Sequence, residues 1–159
     1  MSRTLPNSAN TIKYWILQRY RSGQKELTQA FARIEMKIHF TFVLWSSPNH
    51  RSFLGVVAHW LDSNQNLKST VLGIRRFPGP HTGENPAKHF WDIITPYNIE
   101  LKIGYFTLDN VSNNDTALQH ISSSLTAINI PFNPIHRRLR RSRHTLNLVV
   151  KAFLWVEDC

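Results

Sequence analysis

Only one of the 159 residues is cysteine, and it is the last, Cys159. A lone thiol excludes an intrachain disulfide and any zinc site built on several thiolates, and it fits a reducing compartment. Carboxylates are also scarce: 10 Asp and Glu stand against 19 Lys and Arg, a formal net charge of +9. Such a surplus favours a polyanionic partner, nucleic acid or an acidic membrane face. No apolar stretch approaches the roughly eighteen residues that a spanning helix needs. The opening MSRTLPNSAN lacks the apolar centre of a secretion signal. The expectation is a soluble intracellular chain.

What is present suffices for one folded unit. Hydrophobic residues make up 42% of the chain, which excludes a wholly disordered polymer, and the length suits one domain rather than two. No internal repeat or long low-complexity tract appears. Basic residues crowd within 137–143, where five arginines fall among seven positions.

Periodicity divides the chain. Leu27, Ala30, Phe31 and Ile34 recur at helical spacing, and Thr11 to Tyr20 reads as a shorter helix separated from that one by Gly23. Residues 1–36 are therefore expected as an N-terminal helical segment and 37–159 as the core. From Lys37 to Trp45 the period becomes two, with Ile38, Phe40, Phe42 and Leu44 alternating with the rest. Phe53–Leu61 and Leu67–Phe77 follow as further strands across turns at Pro48-Asn49 and 64–66, an antiparallel meander. Thr82 is the expected N-cap of a helix from Glu84 to about Ile94, with Pro86 in its first turn and Pro96 ending it. Ile103–Asp109 reads as a strand. A helix carrying Ala117, Leu118, Ile121 and Leu125 follows, then a loop at 129–134, the arginine run, and a last helix with Leu146, Val149, Val150 and Phe153 at core spacing. Three antiparallel strands, a crossover helix, a further strand and flanking helices describe an α/β, ribonuclease-H-like topology, expected to be incomplete at its C-terminus. Fold alone assigns no activity.

Four runs carry a more specific likeness: FTFVLWSSPNHRSFLGVVAHWLD, LGIRRFPGPHTGEN, LKIGYFTLDNVSNNDTAL and RRLRRSRHTLNLVVKAFL. In this order they resemble the catalytic core of hAT-family DNA transposases, the fungal type above all. The resemblance implies a ribonuclease-H-like fold in which two Asp and one Glu hold Mg²⁺ or Mn²⁺ for cleavage and strand transfer of DNA. It also implies a nuclear location. The first acid of the family stands between phenylalanine and leucine-tryptophan; here Phe42-Val43-Leu44-Trp45 puts Val43 at that position, and valine ligates no metal. The second acid matches Asp109. The third has no counterpart within these 159 residues. The family's Cys-x-x-His motif maps onto Arg141-Ser142-Arg143-His144, with its cysteine replaced by Arg141. Its zinc-binding recognition finger and its dimerisation region have no match here.

Each candidate has a plainer reading. Asp109 is the surviving family acid and a weak metal candidate, or a strand-end carboxylate accepting turn amides. His39 and Asp109 could share a loosely held metal, although satisfied histidines are commoner. Asp115 and Glu84 read as first-turn helix acids. Arg137, Arg138, Arg140, Arg141, Arg143 and His144 are the candidate DNA-binding residues, by phosphate contact, or a solvated basic loop. Trp45, Trp60 and Trp91 are expected in the core, with Trp155 the most exposed. These residues point to a transposase-core remnant with no working catalysis and no cofactor of its own. Its expected partners are DNA, through non-specific phosphate contacts, or an intact transposase, and neither a membrane nor a small-molecule substrate. The alternatives are a non-enzymatic DNA-binding or transposase-interacting domain, or a functionless product of a decaying element.

Overall fold

The alternation that begins at Ile38 becomes the central strand of a five-stranded sheet. The structure is a computed structural model describing residues 8–47, 51–77, 84–108 and 112–140. Helix α1 (Ala9–Ala32) leads into β1 (Ile38–Ser46), β2 (Ser52–Leu61) and β3 (Leu67–Phe77). Helix α2 (Glu84–Ile94) then crosses to β4 (Ile103–Leu108), α3 (Ser112–Ala127) follows, and β5 (Arg138–Arg140) closes the described part. The strand order is β3-β2-β1-β4-β5. β1 pairs antiparallel with β2 and parallel with β4, and β5 runs parallel to β4. This is the mixed α/β, ribonuclease-H-like arrangement expected from the sequence.

One face of the sheet holds the core. Ile38, Phe40 and Phe42 of β1 and Leu54, Val56, Ala58 and Trp60 of β2 point into it, each at most 8% exposed. The helices contribute Phe31, Phe90, Ile94, Leu118, Ile121 and Leu125 to the same cluster. Its centre is aromatic: Phe90 meets Phe40, Phe42 and Phe106 at ring-centroid distances of 5.2, 5.1 and 5.4 Å. Edge-on and tilted ring pairs of this kind add attraction beyond the area that they bury. The opposite face of the sheet carries half-buried and exposed residues, including Val43, Trp45, Phe53 and Ile74.

Strand and helix limits follow the pattern closely, with three differences. Residues 9–32 form one continuous helix rather than two, because Gly23 lies mid-helix, where backbone hydrogen bonds on either side carry the turn through. Ser8 caps the helix start, its Oγ accepting from the Asn10 N–H. At the far end Lys102 Nζ donates to the carbonyls of Phe31, Ala32 and Ile34 at 2.6, 3.1 and 2.7 Å. A cation there caps carbonyls at and just past the helix end and complements its dipole. With Phe31 edge-on to Trp60 at 5.0 Å, the end of α1 is built into the sheet's core.

The second difference is β5, expected as a basic segment and found as a parallel edge strand. The third is Trp45: expected in the core, it is 38% exposed, because the odd-numbered residues of β1 point away from the cluster. Trp60 is buried and Trp91 packs against the core as a half-buried residue. Pro86 lies in the first turn of α2, and Pro96 opens a 3₁₀ turn, Thr95–Tyr97, that ends the helix. The expected cap Thr82, residue Trp155 and the last helix lie outside the described residues.

Candidate functional site

In a sheet of this topology β1 and β4 are parallel neighbours, so their C-terminal ends lie side by side. Thr41 pairs with Thr107. Val43 lies two residues beyond Thr41, and Asp109 two residues beyond Thr107 in the sequence. Asp109 itself lies outside the described residues.

Val43 is set in an apolar surround. It pairs with Gly55 across β2. The absence of a side chain at 55 lets the Trp45 ring lie over the strand: a Cβ there would meet Trp45 Cζ3 at 3.3 Å and Val43 Cβ at 3.8 Å. Trp45 then stacks on Phe53, with centroids 5.3 Å apart and planes within 14°. This end of β1 presents hydrocarbon and π surface.

Further down the same face the polar groups are already engaged. Thr41 Oγ1 and His59 Nε2 share a 2.9 Å hydrogen bond. His39 Nδ1 accepts from the Tyr105 N–H at 3.0 Å, which places the proton of the neutral ring on Nε2. Its ring lies beside Tyr105 at 5.6 Å, and the Arg137 guanidinium stands 5.3 Å over the other ring. Burial, and then the Arg137 charge, hold the His39 pKa below its ordinary 6.5. Both effects penalise the imidazolium.

The acids that are described have other tasks. Asp115 is in the first turn of α3 and forms an ion pair with Arg138. Glu84 is an exposed first-turn acid of α2. Asp62 accepts the N–H groups of Asn64 and Asn66, both at 2.9 Å, in the β2–β3 turn. Among the described residues no three His, Cys, Asp or Glu side chains converge into a metal-binding group. The residues described at this site do not fit the metal pair of the family: Val43 is hydrocarbon and His39 Nδ1 already has a donor. No step through a metal is derived for this chain.

The arginine run divides by strand alternation. Arg137 faces Tyr105, its N–H donates to Asn133 O, and its carbonyl accepts from the Phe106 N–H at 2.8 Å. Arg138 turns toward α3, its side chain only 9% exposed beside Asp115. Arg140 pairs through its backbone with Leu108. Arg141, Arg143 and His144 lie outside the described residues. The sequence reading missed three of these contacts: Arg138–Asp115, Arg137 over Tyr105, and His39 with the Tyr105 amide. The Arg-Leu-Arg alternation at 138–140 was a faint strand signal, hidden by the charge around it.

A five-stranded sheet in this order, with the described helices packed on one face, defines a ribonuclease-like α/β domain. Comparison with known proteins agrees. The chain belongs to the ZBED1 RNase-like domain family, whose pattern matches residues 41–132, more than half of the chain. It is 29% identical over 148 residues to an AC transposase of Zea mays, covering 92% of this chain and 18% of that protein. It is 30% identical over 123 residues to the transcriptional regulator tpeD of Talaromyces stipitatus, covering 77% and 14%. A zinc finger BED domain-containing protein of Oryza sativa, RICESLEEPER 2, is 22% identical over 91 residues, covering 57% of this chain and 13% of that protein. The chain thus spans less than a fifth of the length of these relatives. It is a hAT-type, transposase-related domain, and among the described residues no helix is long and apolar enough to cross a membrane.

Proposed function

We propose that this domain binds DNA through non-specific phosphate contacts and does not itself cleave it. The observation that supports the reading is Val43, a half-buried aliphatic side chain beside Trp45 and Gly55, at the position that the resemblance gives to the family's first acid. Two-metal hydrolysis needs carboxylates to hold both ions, and a solitary Asp109 would bind Mg²⁺ only weakly. The net charge of +9 supports the DNA half of the reading, as do relatives named as a transposase and a transcriptional regulator. Arg137, Arg140, Arg141, Arg143 and His144 are the proposed phosphate contacts, Arg138 being engaged with Asp115. A nuclear location follows from the same reading.

Fluorescence anisotropy of a labelled DNA duplex, with end-labelled cleavage followed in parallel, tests both halves. Affinity is expected to fall steeply between 50 and 200 mM salt, by about tenfold or more for a few phosphate contacts. Affinity is expected to be the same with and without Mg²⁺, with no cleavage in either case. Mg²⁺-dependent strand breaks would overturn the inactive half. No binding at low salt by the folded protein would overturn the DNA half and leave association with an intact transposase, which a pull-down at high salt would detect.

A further inference from the structure

The order β3-β2-β1-β4-β5 puts β3 at the rim of the sheet, with no strand paired to its outer edge among the described residues. β3 is 11 residues long, about twice the usual strand. Its outer edge offers a row of backbone N–H and C=O groups to any further strand, and side-chain charges decide which strands can use it.

The charges on β3 form a pattern. Lys68 stands opposite Trp60 of β2, Thr70 opposite Ala58, Gly73 opposite Val56 and Arg75 opposite Leu54. All four β2 residues point into the core, so Lys68, Thr70, Gly73 and Arg75 lie on the helix-covered side of the sheet. Lys68 and Arg75 are exposed there, Lys68 at 3.5 Å from Asp62, and β3 itself carries no carboxylate. Beside Gly73 and Arg75 opens a cleft of about 220 Å³, walled by Leu72 and Ile93 and by Tyr20 of α1. Asp92 also lines it, and that carboxylate already meets His89 Nδ1 at 3.2 Å.

A second copy fits this edge poorly. Full antiparallel overlap of two β3 strands sets Lys68 against Arg75 at both ends, and parallel overlap sets each cation against itself. Like charges directly opposed across a strand pair are destabilising. A strand carrying carboxylates fits well, and the register gives their spacing. The pairing slips by one residue at Leu72, so Lys68 and Arg75 face Trp60 and Leu54, which are six residues apart on β2. A regular strand on the outer side would face the two cations with residues six apart as well.

We propose that β3 takes up an extended acidic segment of a partner protein as a further strand of the sheet. Two carboxylates of that segment, six residues apart, meet Lys68 and Arg75. The side chains between them cover Thr70 and enter the cleft beside Gly73 and Tyr20. Backbone hydrogen bonds along the edge supply affinity, and the two cations with the cleft supply selectivity. The inference is independent of whether the domain binds DNA.

The probe is the end-capped peptide Glu-Thr-Leu-Thr-Leu-Thr-Glu, which sets both acids on one face at this spacing in either chain direction. It is titrated into the isotope-labelled full chain up to about 1 mM, enough to half-saturate a weak site. Saturable shifts of the amide resonances of 67–76 are expected; shifts confined to β5, the opposite edge, or none at all would overturn the proposal. The same residues reordered as Glu-Glu-Thr-Leu-Thr-Leu-Thr should bind about fivefold more weakly, and equal binding would reduce the effect to general attraction by a basic protein and overturn it. Two further forms of the probe carry N-methyl groups on its odd or on its even amides. At least one should lose binding, and binding by both would exclude strand pairing. Arg75→Glu, which leaves the Lys68–Asp62 pair in place, should weaken the probe and strengthen its Lys-for-Glu counterpart; an unchanged preference would overturn the assignment of Arg75. Sedimentation showing a dimer that Arg75→Glu disrupts would replace the acidic partner with a second copy.

Discussion

A methyl group at position 104 would lie 2.7 Å from His39 Nδ1 and 2.9 Å from Ile38 O. Backbone on one side and a hydrogen-bonded ring on the other leave no cheap way to move. Gly104→Ala is expected to destabilise the fold by about 1–3 kcal/mol, read as a lower urea midpoint. Adding His39→Ala recovers only part of the loss, because the Ile38 carbonyl stays. His39 itself couples the fold to pH. Its folded pKa lies below 6.5, so the unfolded chain takes up the proton first. Stability from the neutral ring is complete above about pH 6.5, declines as pH falls toward the folded value, and then levels. Thermal unfolding scanned from pH 7.5 to 5 should show that decline, and His39→Asn, which keeps an acceptor for the Tyr105 N–H, should remove it. The sequence marked His39, Thr41 and Val43 as sharing a face, because alternation along one strand is local. The donor for His39 and the guanidinium over Tyr105 come from β4 and the turn before β5, 66 residues along for the Tyr105 amide, and no local pattern reports such a meeting.

Among the elements, α1 and β5 are where local signals misled. Gly23 reads as a break, yet nothing lies within 4 Å of the position where its Cβ would be, and the helix runs on. Gly23→Ala should therefore stabilise the protein by about 0.5–1 kcal/mol, seen as a higher urea midpoint with unchanged fold. In β5 the charged Arg138 is directed inward to Asp115 and the apolar Leu139 outward, the reverse of the usual order. Asp115→Ala takes a carboxylate from a guanidinium side chain only 9% exposed. The expected cost is about 1–3 kcal/mol, with hydrogen exchange at β5 and the start of α3 accelerating before the rest. The remaining strands and α2 kept close to their expected limits. Their alternation and their proline boundaries are properties of a few consecutive residues, and the tertiary structure had no reason to override them.

For the molecule as a whole, the Phe40–Phe42–Phe90–Phe106 group joins the sheet to α2 and is the hub of the core among the described residues. Phe90→Ala is expected to cost about 3–5 kcal/mol. Against the roughly 5–15 kcal/mol that holds a domain of this size together, that loss should lower the melting temperature by several degrees or abolish the cooperative transition in calorimetry. By itself the sequence determined the order of the described elements and the two periods, since each is written in adjacent residues. Only the tertiary structure decided which side of the sheet is covered, that the end of α1 is tied down by Lys102, and that Arg138 serves the fold. Both faces of β1 and β2 carry apolar side chains, so hydrophobicity alone could not choose between Phe42 and Trp45. The crossover through α2 made that choice, because a helix packed on one face buries that face and not the other.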